Sequence, residues 1–235
     1  MLEIGPGQGA LTRSLLARGA EVTAIEIDRD LVPALRARFP EVHLVEGDAL
    51  ELDWHELMGP AARGSWMVTG NIPYNITSPL LDQALSPPRP QRIVFLVQRE
   101  VAERVTAPPG TGEYGALTVG IRAVADAERL FTVPAGAFTP APRVDSAVIR
   151  LTPHVSPLVE DGEIGSFRKV VTGLFGFRRK QLGRGLRELT SWPAERVVNL
   201  LMRLDVDPTL RPEVLAPSQF VQLHRALVDG GWGGR

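Results

Sequence analysis

The sequence of 235 residues contains no cysteine, which excludes disulfide frameworks and thiolate zinc sites. Its four histidines, His43, His55, His154 and His224, lie far apart without ligand spacing, so no metal is expected. There is no run of about 18 apolar residues, the minimum that reads as a membrane span. Nothing at the front resembles a secretory leader, because Met1 runs straight into the strand-like Leu2-Glu3-Ile4. The formal charge is only −1. Global charge therefore offers no argument for nucleic acid, and any basic surface must be local. These absences predict a cytoplasmic protein without membrane or metal partners, expected as a monomer.

What is present is alternation. Apolar residues at strand and helix periods predict strands over 2–4, 22–27, 42–45, 66–69 and 93–97, and helices over 10–18, 31–39, 79–85, 100–106 and 116–125. Strands separated by helices imply βαβ units and a parallel sheet. Segments 129–133 and 147–151 are expected to pair antiparallel at the sheet edge, joined by the proline-rich stretch from Pro134 to Pro142. After about His154 the character changes. Phe167, Val170, Val171, Leu174 and Phe175 recur at helical spacing. Further helices are predicted over 194–204 and 218–227, with Pro193 and Pro217 near their starts. The predicted fold is α/β, a Rossmann-like sheet over 1–155, followed by a smaller helical domain over 156–235 whose tail from Gly230 frays.

The turn after the first strand reads Gly5-Pro6-Gly7-Gln8-Gly9-Ala10. Glycines there permit tight turning and close approach of a ligand to backbone, ahead of a helix N-terminus. Gly5, Gly7 and Ala10 also fit the loose dinucleotide pattern, so the loop alone does not separate a nicotinamide from S-adenosylmethionine. Glu26 ends the second strand, where a carboxylate can accept both hydroxyls of a ribose. Asp28 and Asp30, by contrast, suit a helix start. Asp48 follows the third strand, able to accept from an adenine amino group or to serve as a turn residue after Gly47.

The fourth strand ends in Asn71-Ile72-Pro73-Tyr74. Proline cannot donate to a sheet ladder, so the strand stops there. An adenine amino group is a poor nucleophile, because its lone pair is delocalised into the ring. Neutral acceptors, the Asn71 side chain and the Ile72 carbonyl, can hold its N–H bonds and aim the nitrogen. Tyr74 can stack on an extruded base.

Asn-Ile-Pro-Tyr, together with the glycine loop, Glu26 and Asp48 at these separations, resembles the ribosomal RNA adenine N6,N6-dimethyltransferases. Residues 138–151, FTPAPRVDSAVIRL, are similar to the Phe-x-Pro-x-Pro-x-Val-Asp-Ser segment of the members that dimethylate two adjacent adenines near the 3′ end of small-subunit rRNA. Residues 167–186 resemble the first helices of that family's C-terminal domain, and 107–119 its loop near the active site. The resemblance spans residues 2 to about 227. It implies S-adenosylmethionine as cofactor, contacted by Gly5, Gly7, Glu26, Asp48, Ala49 and Asn71. It implies a target-adenine site of Asn71, Ile72, Pro73 and Tyr74, with Phe138 facing the base from its other side. The implied partner is small-subunit rRNA in an immature ribosomal particle. Family members usually carry some tens of residues before the glycine-loop strand, including a stretch that packs near the methionine end of the cofactor. Here the sequence begins within that strand, so that segment is expected to be missing.

Local charge agrees with RNA. From Phe167 to Arg187 the charged residues are Arg168, Lys169, Arg178, Arg179, Lys180, Arg184 and Arg187, with no acid among them. Interleaved with Phe175 and Phe177, they read as phosphate contacts rather than a merely solvated face. Three rival readings are a methyltransferase of large-subunit rRNA conferring antibiotic resistance, a non-catalytic ribosome-assembly factor on the same fold, and a nicotinamide oxidoreductase. The segment 138–146 argues against the first, the intact Asn71–Tyr74 motif against the second, and that otherwise unexplained motif against the third.

Overall fold

The first strand, β1 (Leu2–Ile4), is buried at all three residues, as befits the middle of a sheet covered on both faces. A computed structural model describes residues 1–59 and 66–233. The last two residues of the predicted fraying tail lie outside them. The chain divides into two compact units, Met1–Ala102 with Asp126–Pro153, and Glu103–Ala125 with His154–Arg235. Segment 103–125, placed by sequence in the first domain, instead clusters with the C-terminal helices.

In the first unit β1 is followed by α1 (Ala10–Leu16), β2 (Thr23–Glu26), α2 (Val32–Arg38), β3 (His43–Glu46), α3 (Trp54–Met58), β4 (Met67–Asn71), α4 (Thr77–Ala84) and β5 (Arg92–Gln98). A further helix, α5 (Arg99–Thr106), begins directly after β5. The last two strands are β6 (Ala125–Val133) and β7 (Ser146–Pro153). The sheet order is β3-β2-β1-β4-β5-β7-β6. Strands β1 to β5 pair in parallel, and β7 runs antiparallel to β5. From β1 the chain winds outward to β2 and β3, then returns to place β4 on the other side of β1. The gap between β1 and β4 is thus the topological switch point, where open α/β sheets bind ligands beyond the strand C-termini.

The reversal of β7 matters for the site. Ser146 pairs with Gln98 and Val148 with Leu96, while Leu96 also pairs with Asn71. The start of β7 therefore lies at the edge where β4 and β5 end. The stretch from Pro134 to Asp145 reaches that edge although it is distant in sequence.

Several elements differ from expectation. The helix predicted over 116–125 is α6 (Ala116–Arg122), and β6 starts at Ala125, four residues before the predicted 129. Helix α3 was not predicted. Its signal is Asp53, whose side chain accepts from the N–H groups of His55 and Glu56, with Glu56 three residues on in a capping pattern.

The second unit carries α6, α7 (Ile164–Gly176), α8 (Leu182–Thr190), α9 (Ala194–Arg203) and α10 (Pro217–Asp229). Phe167, Val170, Val171 and Leu174 of α7 are buried, as are Leu182 and Leu186 of α8, Val197, Leu200 and Leu201 of α9, and Phe220, Val221, Leu223 and Leu227 of α10. Those of α7, α9 and α10 fall in segments where helical spacing predicts helices, while α8 lies outside them, and each large side chain contributes about 1.5–3 kcal/mol by leaving water. Pro217 stands at the first turn of α10, where its missing N–H costs no bond. Among the described residues no helix is long and apolar enough to cross a membrane.

Candidate active site

Gly5, Gly7 and Gly9 all have positive φ, 63°, 57° and 77°, so the loop after β1 needs all three simply to turn. Their N–H groups are engaged within the protein. Gly5 donates to the Ile25 carbonyl at 2.9 Å and Gly9 to the Pro6 carbonyl at 2.8 Å. Gly7 donates to Glu26 Oε2 at 2.9 Å. The other oxygen of Glu26 accepts from the Asp28 N–H at 2.9 Å. Glu26 thus joins the glycine loop to the turn after β2, with only 4% of its surface exposed.

Glu3 of β1 is buried as well. Burial pushes its carboxyl above the ordinary carboxylate range, contact with Thr12 draws it back, and the Glu26 charge raises it again. No Lys or Arg pairs with Glu3 or Glu26 among the described residues. A carboxyl group bonded to a loop whose glycine N–H groups are engaged makes a poor seat for a pyrophosphate and a better one for a cationic group.

Asp48 serves as a turn residue, Oδ1 accepting from the Leu50 N–H at 2.8 Å. That bond leaves Oδ2 without a hydrogen bond among the described residues. The side chain of Ala49 is buried, and its carbonyl accepts from Trp54 Nε1 at 2.8 Å.

Strand β4 ends at Asn71, and one further bond, from the Ile72 N–H to the Leu96 carbonyl at 3.0 Å, precedes the proline. Ile72 buries its side chain. Pro73 then turns the chain, its carbonyl accepting from the Ile76 N–H and from buried Thr77 Oγ1, both at 3.2 Å. The Asn71 side chain is exposed and has no partner among the described residues. Tyr74 places its phenol 3.1 Å from the hydroxyl of Ser146, the first residue of β7. Asn71, Ile72, Pro73 and Tyr74 line one side of a cavity of about 280 Å³, and Phe138, Pro140 and Pro142 line the other. All five predicted target-site residues therefore meet in one open cleft at the end of β4.

The basic residues of the second unit are not alike. Arg178 turns inward, Nε to Glu213 Oε2 at 2.6 Å and Nη2 to the Thr111 carbonyl at 3.1 Å. Lys180 pairs with Glu188 at 3.1 Å and lies over the Phe177 ring. Arg168 and Lys169 also have partners. The side chains of Arg179, Arg184 and Arg187 are exposed and make no hydrogen bond or ion pair among the described residues. Arg184 and Arg187 line a larger cleft of about 710 Å³ with Gln181, Trp192 and Thr209. Segment 107–119 is held inside the same unit. The buried Tyr114 hydroxyl donates to the Leu215 carbonyl at 2.7 Å, and burial pushes that phenol up to about 12.

A sheet with its switch point between β1 and β4, a carboxylate-pinned glycine loop on one side and an open asparagine and tyrosine on the other, defines a Rossmann-like methyltransferase. Comparison with known proteins narrows the class. The profile described as ribosomal RNA adenine dimethylase matches residues 1–223, and the chain belongs to that family. It is 41% identical over 233 residues to ribosomal RNA small subunit methyltransferase A of Hahella chejuensis, covering 97% of this chain and 82% of that one. The Synechococcus sp. (strain JA-3-3Ab) protein of the same name is 43% identical, with 97% and 81% covered. Among solved structures, a dimethyladenosine transferase from Plasmodium falciparum superposes with a TM-score of 0.84 at 25% identity, covering 100% of this chain and 91% of that one. The 23S rRNA methyltransferase ErmE gives 0.71 at 30% identity, covering 97% and 90%.

Proposed function

We propose that this chain transfers methyl groups from S-adenosylmethionine to N6 of two adjacent adenines near the 3′ end of small-subunit rRNA, in the cytoplasm and on an immature ribosomal particle. The carrying observation is the cleft that joins the unpartnered Asn71 side chain, Tyr74 and Phe138 beside the switch point. Its polar end offers neutral acceptors for an amino group, and its sides offer two aromatic rings for a flat base.

The cofactor supplies a methyl group already activated on a sulfonium. Glu26, Asp48 Oδ2, the backbone of Gly5 and Gly7, Ala49 and Asn71 are the groups proposed to hold it. The Glu26 carboxyl group, bonded to the Gly7 and Asp28 N–H groups, favours a cationic cofactor over a dinucleotide pyrophosphate. Asn71 accepts from the target N6–H and steers the lone pair without adding charge beside Asp48. Arg179, Arg184 and Arg187 are the proposed phosphate contacts, since Arg178 is engaged within the protein.

Mass spectrometry of both rRNAs from cells with and without the gene tests this reading. Loss of dimethyladenine from small-subunit rRNA is expected. Loss from large-subunit rRNA would favour the ErmE-like reading, and loss from neither would favour an assembly factor. Asn71→Ala is expected to slow the first transfer by roughly 10²–10³, the scale of one preorganised electrostatic contact.

A further inference from the structure

Ser146 and Asp145 lie outside the cleft, and the reading above gives them no role. Ser146 is 1% exposed. A buried hydroxyl requires a partner, and the partner of this one is the Tyr74 phenol, 72 positions away in sequence. Asp145 reaches in two other directions. Its Oδ1 accepts from the Ala135 N–H at 3.1 Å, at the head of the single 3₁₀ turn Ala135–Ala137 that delivers Phe138. Its carbonyl accepts from the Arg99 N–H at 3.0 Å, and its Oδ2 lies 3.6 Å from Arg99 Nη1. Two consecutive residues at the mouth of β7 therefore hold the Tyr74 wall, the Phe138 wall and the start of α5.

We infer that Ser146 and Asp145 are positioning residues that fix the gap between the Tyr74 and Phe138 rings, and that this gap governs the second methyl transfer. The inference rests on the proposed function. A flat base is held between two rings only when both are held in place, and β7, hydrogen-bonded along β5, is a rigid frame for them. The first transfer has two N–H bonds for neutral acceptors to grip. Monomethyladenine has one, so its orientation depends more on stacking. Slack in either wall slows the second step more than the first.

Two measurements decide it. In single-turnover assays on under-methylated small subunits, Ser146→Ala and Asp145→Ala are expected to slow the second transfer roughly 10-fold or more beyond any effect on the first, as a misplaced reactant does. N6-monomethyladenine accumulates, and S-adenosylmethionine affinity is unchanged. Asp145→Asn keeps the acceptor for Ala135 and restores most of the second-step rate. Tyr74→Phe removes the same bond as Ser146→Ala, so the double variant is no slower than the slower single one. The second measurement needs no activity. The chain has two tyrosines, Tyr74 and Tyr114. In ring-labelled protein the Tyr74 signals are expected to shift and narrow in Ser146→Ala while those of Tyr114 stay fixed. An unchanged Tyr74 spectrum, or parent product ratios in both Ser146→Ala and Asp145→Ala, overturns the inference. Absence of methylated adenine with the parent protein overturns the proposed function instead, and the spectra still judge the clamp.

Discussion

Arg178 and Glu213 form a 2.6 Å ion pair whose guanidinium also donates to the Thr111 carbonyl. It ties the end of α7 to two loops of its own unit, and Gly110 adds a backbone bond to the Glu213 carbonyl at 2.8 Å. A basic residue that reads in sequence as an RNA contact is here an internal brace. Arg178→Ala is expected to cost about 1–3 kcal/mol, because Glu213 is left half-buried without its partner. Arg179→Ala and Arg184→Ala should leave the melting temperature unchanged. Each should weaken rRNA binding and reduce its salt slope by about 0.7, the value for one lost single-strand phosphate contact. Thermal melts alongside binding titrations at several salt concentrations check both halves. An unchanged melt for Arg178→Ala would return it to the RNA surface.

Glu26 has two jobs if it also holds the ribose. Glu26→Gln keeps the size but offers one acceptor where two N–H groups, of Gly7 and Asp28, now converge. The expected loss in S-adenosylmethionine affinity is about 1.5–3 kcal/mol, the scale of charge-assisted bonds. Calorimetry measures it, with NAD as the control that should show no binding. Parent affinity in Glu26→Gln would remove the residue from the cofactor site.

Gly70 sits in β4 beside Asn71, and a Cβ there would stand 2.5 Å from the Ile4 carbonyl oxygen and 3.0 Å from Ile72 Cδ1. Gly70→Ala must push β1 and β4 apart at the switch point. Overpacking of this kind is expected to destabilise the protein by about 1–3 kcal/mol. Activity should fall further than stability, since Asn71 moves with the strand. Chemical denaturation and single-turnover rates on the same sample would show whether the two effects separate.

His224 on α10 is buried, its Nε2 2.8 Å from Ser166 Oγ. Burial lowers its pKa, which the Glu163 charge partly offsets and the Arg225 charge reinforces. Below the ordinary value of 6.5 the unfolded chain binds a proton that the folded chain refuses, so stability declines as pH falls from about 6.5 towards the folded value. His224→Gln should flatten the melting temperature between pH 7 and about 5. Glu163 behaves differently. Hydrogen bonds from Arg225 hold its carboxyl down at about 2, so its contribution persists until far more acid conditions. Equal pH slopes in parent and His224→Gln would locate the acid sensitivity elsewhere.

Sequence reached the elements that follow local rules. Strands β1 to β5 and helices α7, α9 and α10 follow from periodicity, because each face is set by neighbours three, four or two residues away, whereas α8 is reached only through the resemblance of 167–186. One wall of the cleft is legible for the same reason, since Asn71 to Tyr74 form a contiguous run after a strand, whereas Phe138 on the other wall is reached only through the resemblance. What sequence missed depends on distant partners. Nothing near Arg178 announces that Glu213 and Thr111 will claim its guanidinium. Nothing near Ser146 announces Tyr74. The pull of segment 103–125 towards the C-terminal helices also rests on non-local contacts, such as the Tyr114 bond to Leu215. Asp53 differs, since its cap of α3 is a local signal.

The backward run of β7 against β5 separates two tasks that a wholly parallel sheet would merge. The glycine loop and β4 come from the forward-wound part of the chain, whereas Phe138 and its prolines arrive on a return excursion between β6 and β7. That excursion lies outside the parallel pairing of β1 to β5. The fold thus draws the two walls of one cleft from separate stretches of chain, one ending a parallel strand and the other joining β6 to β7.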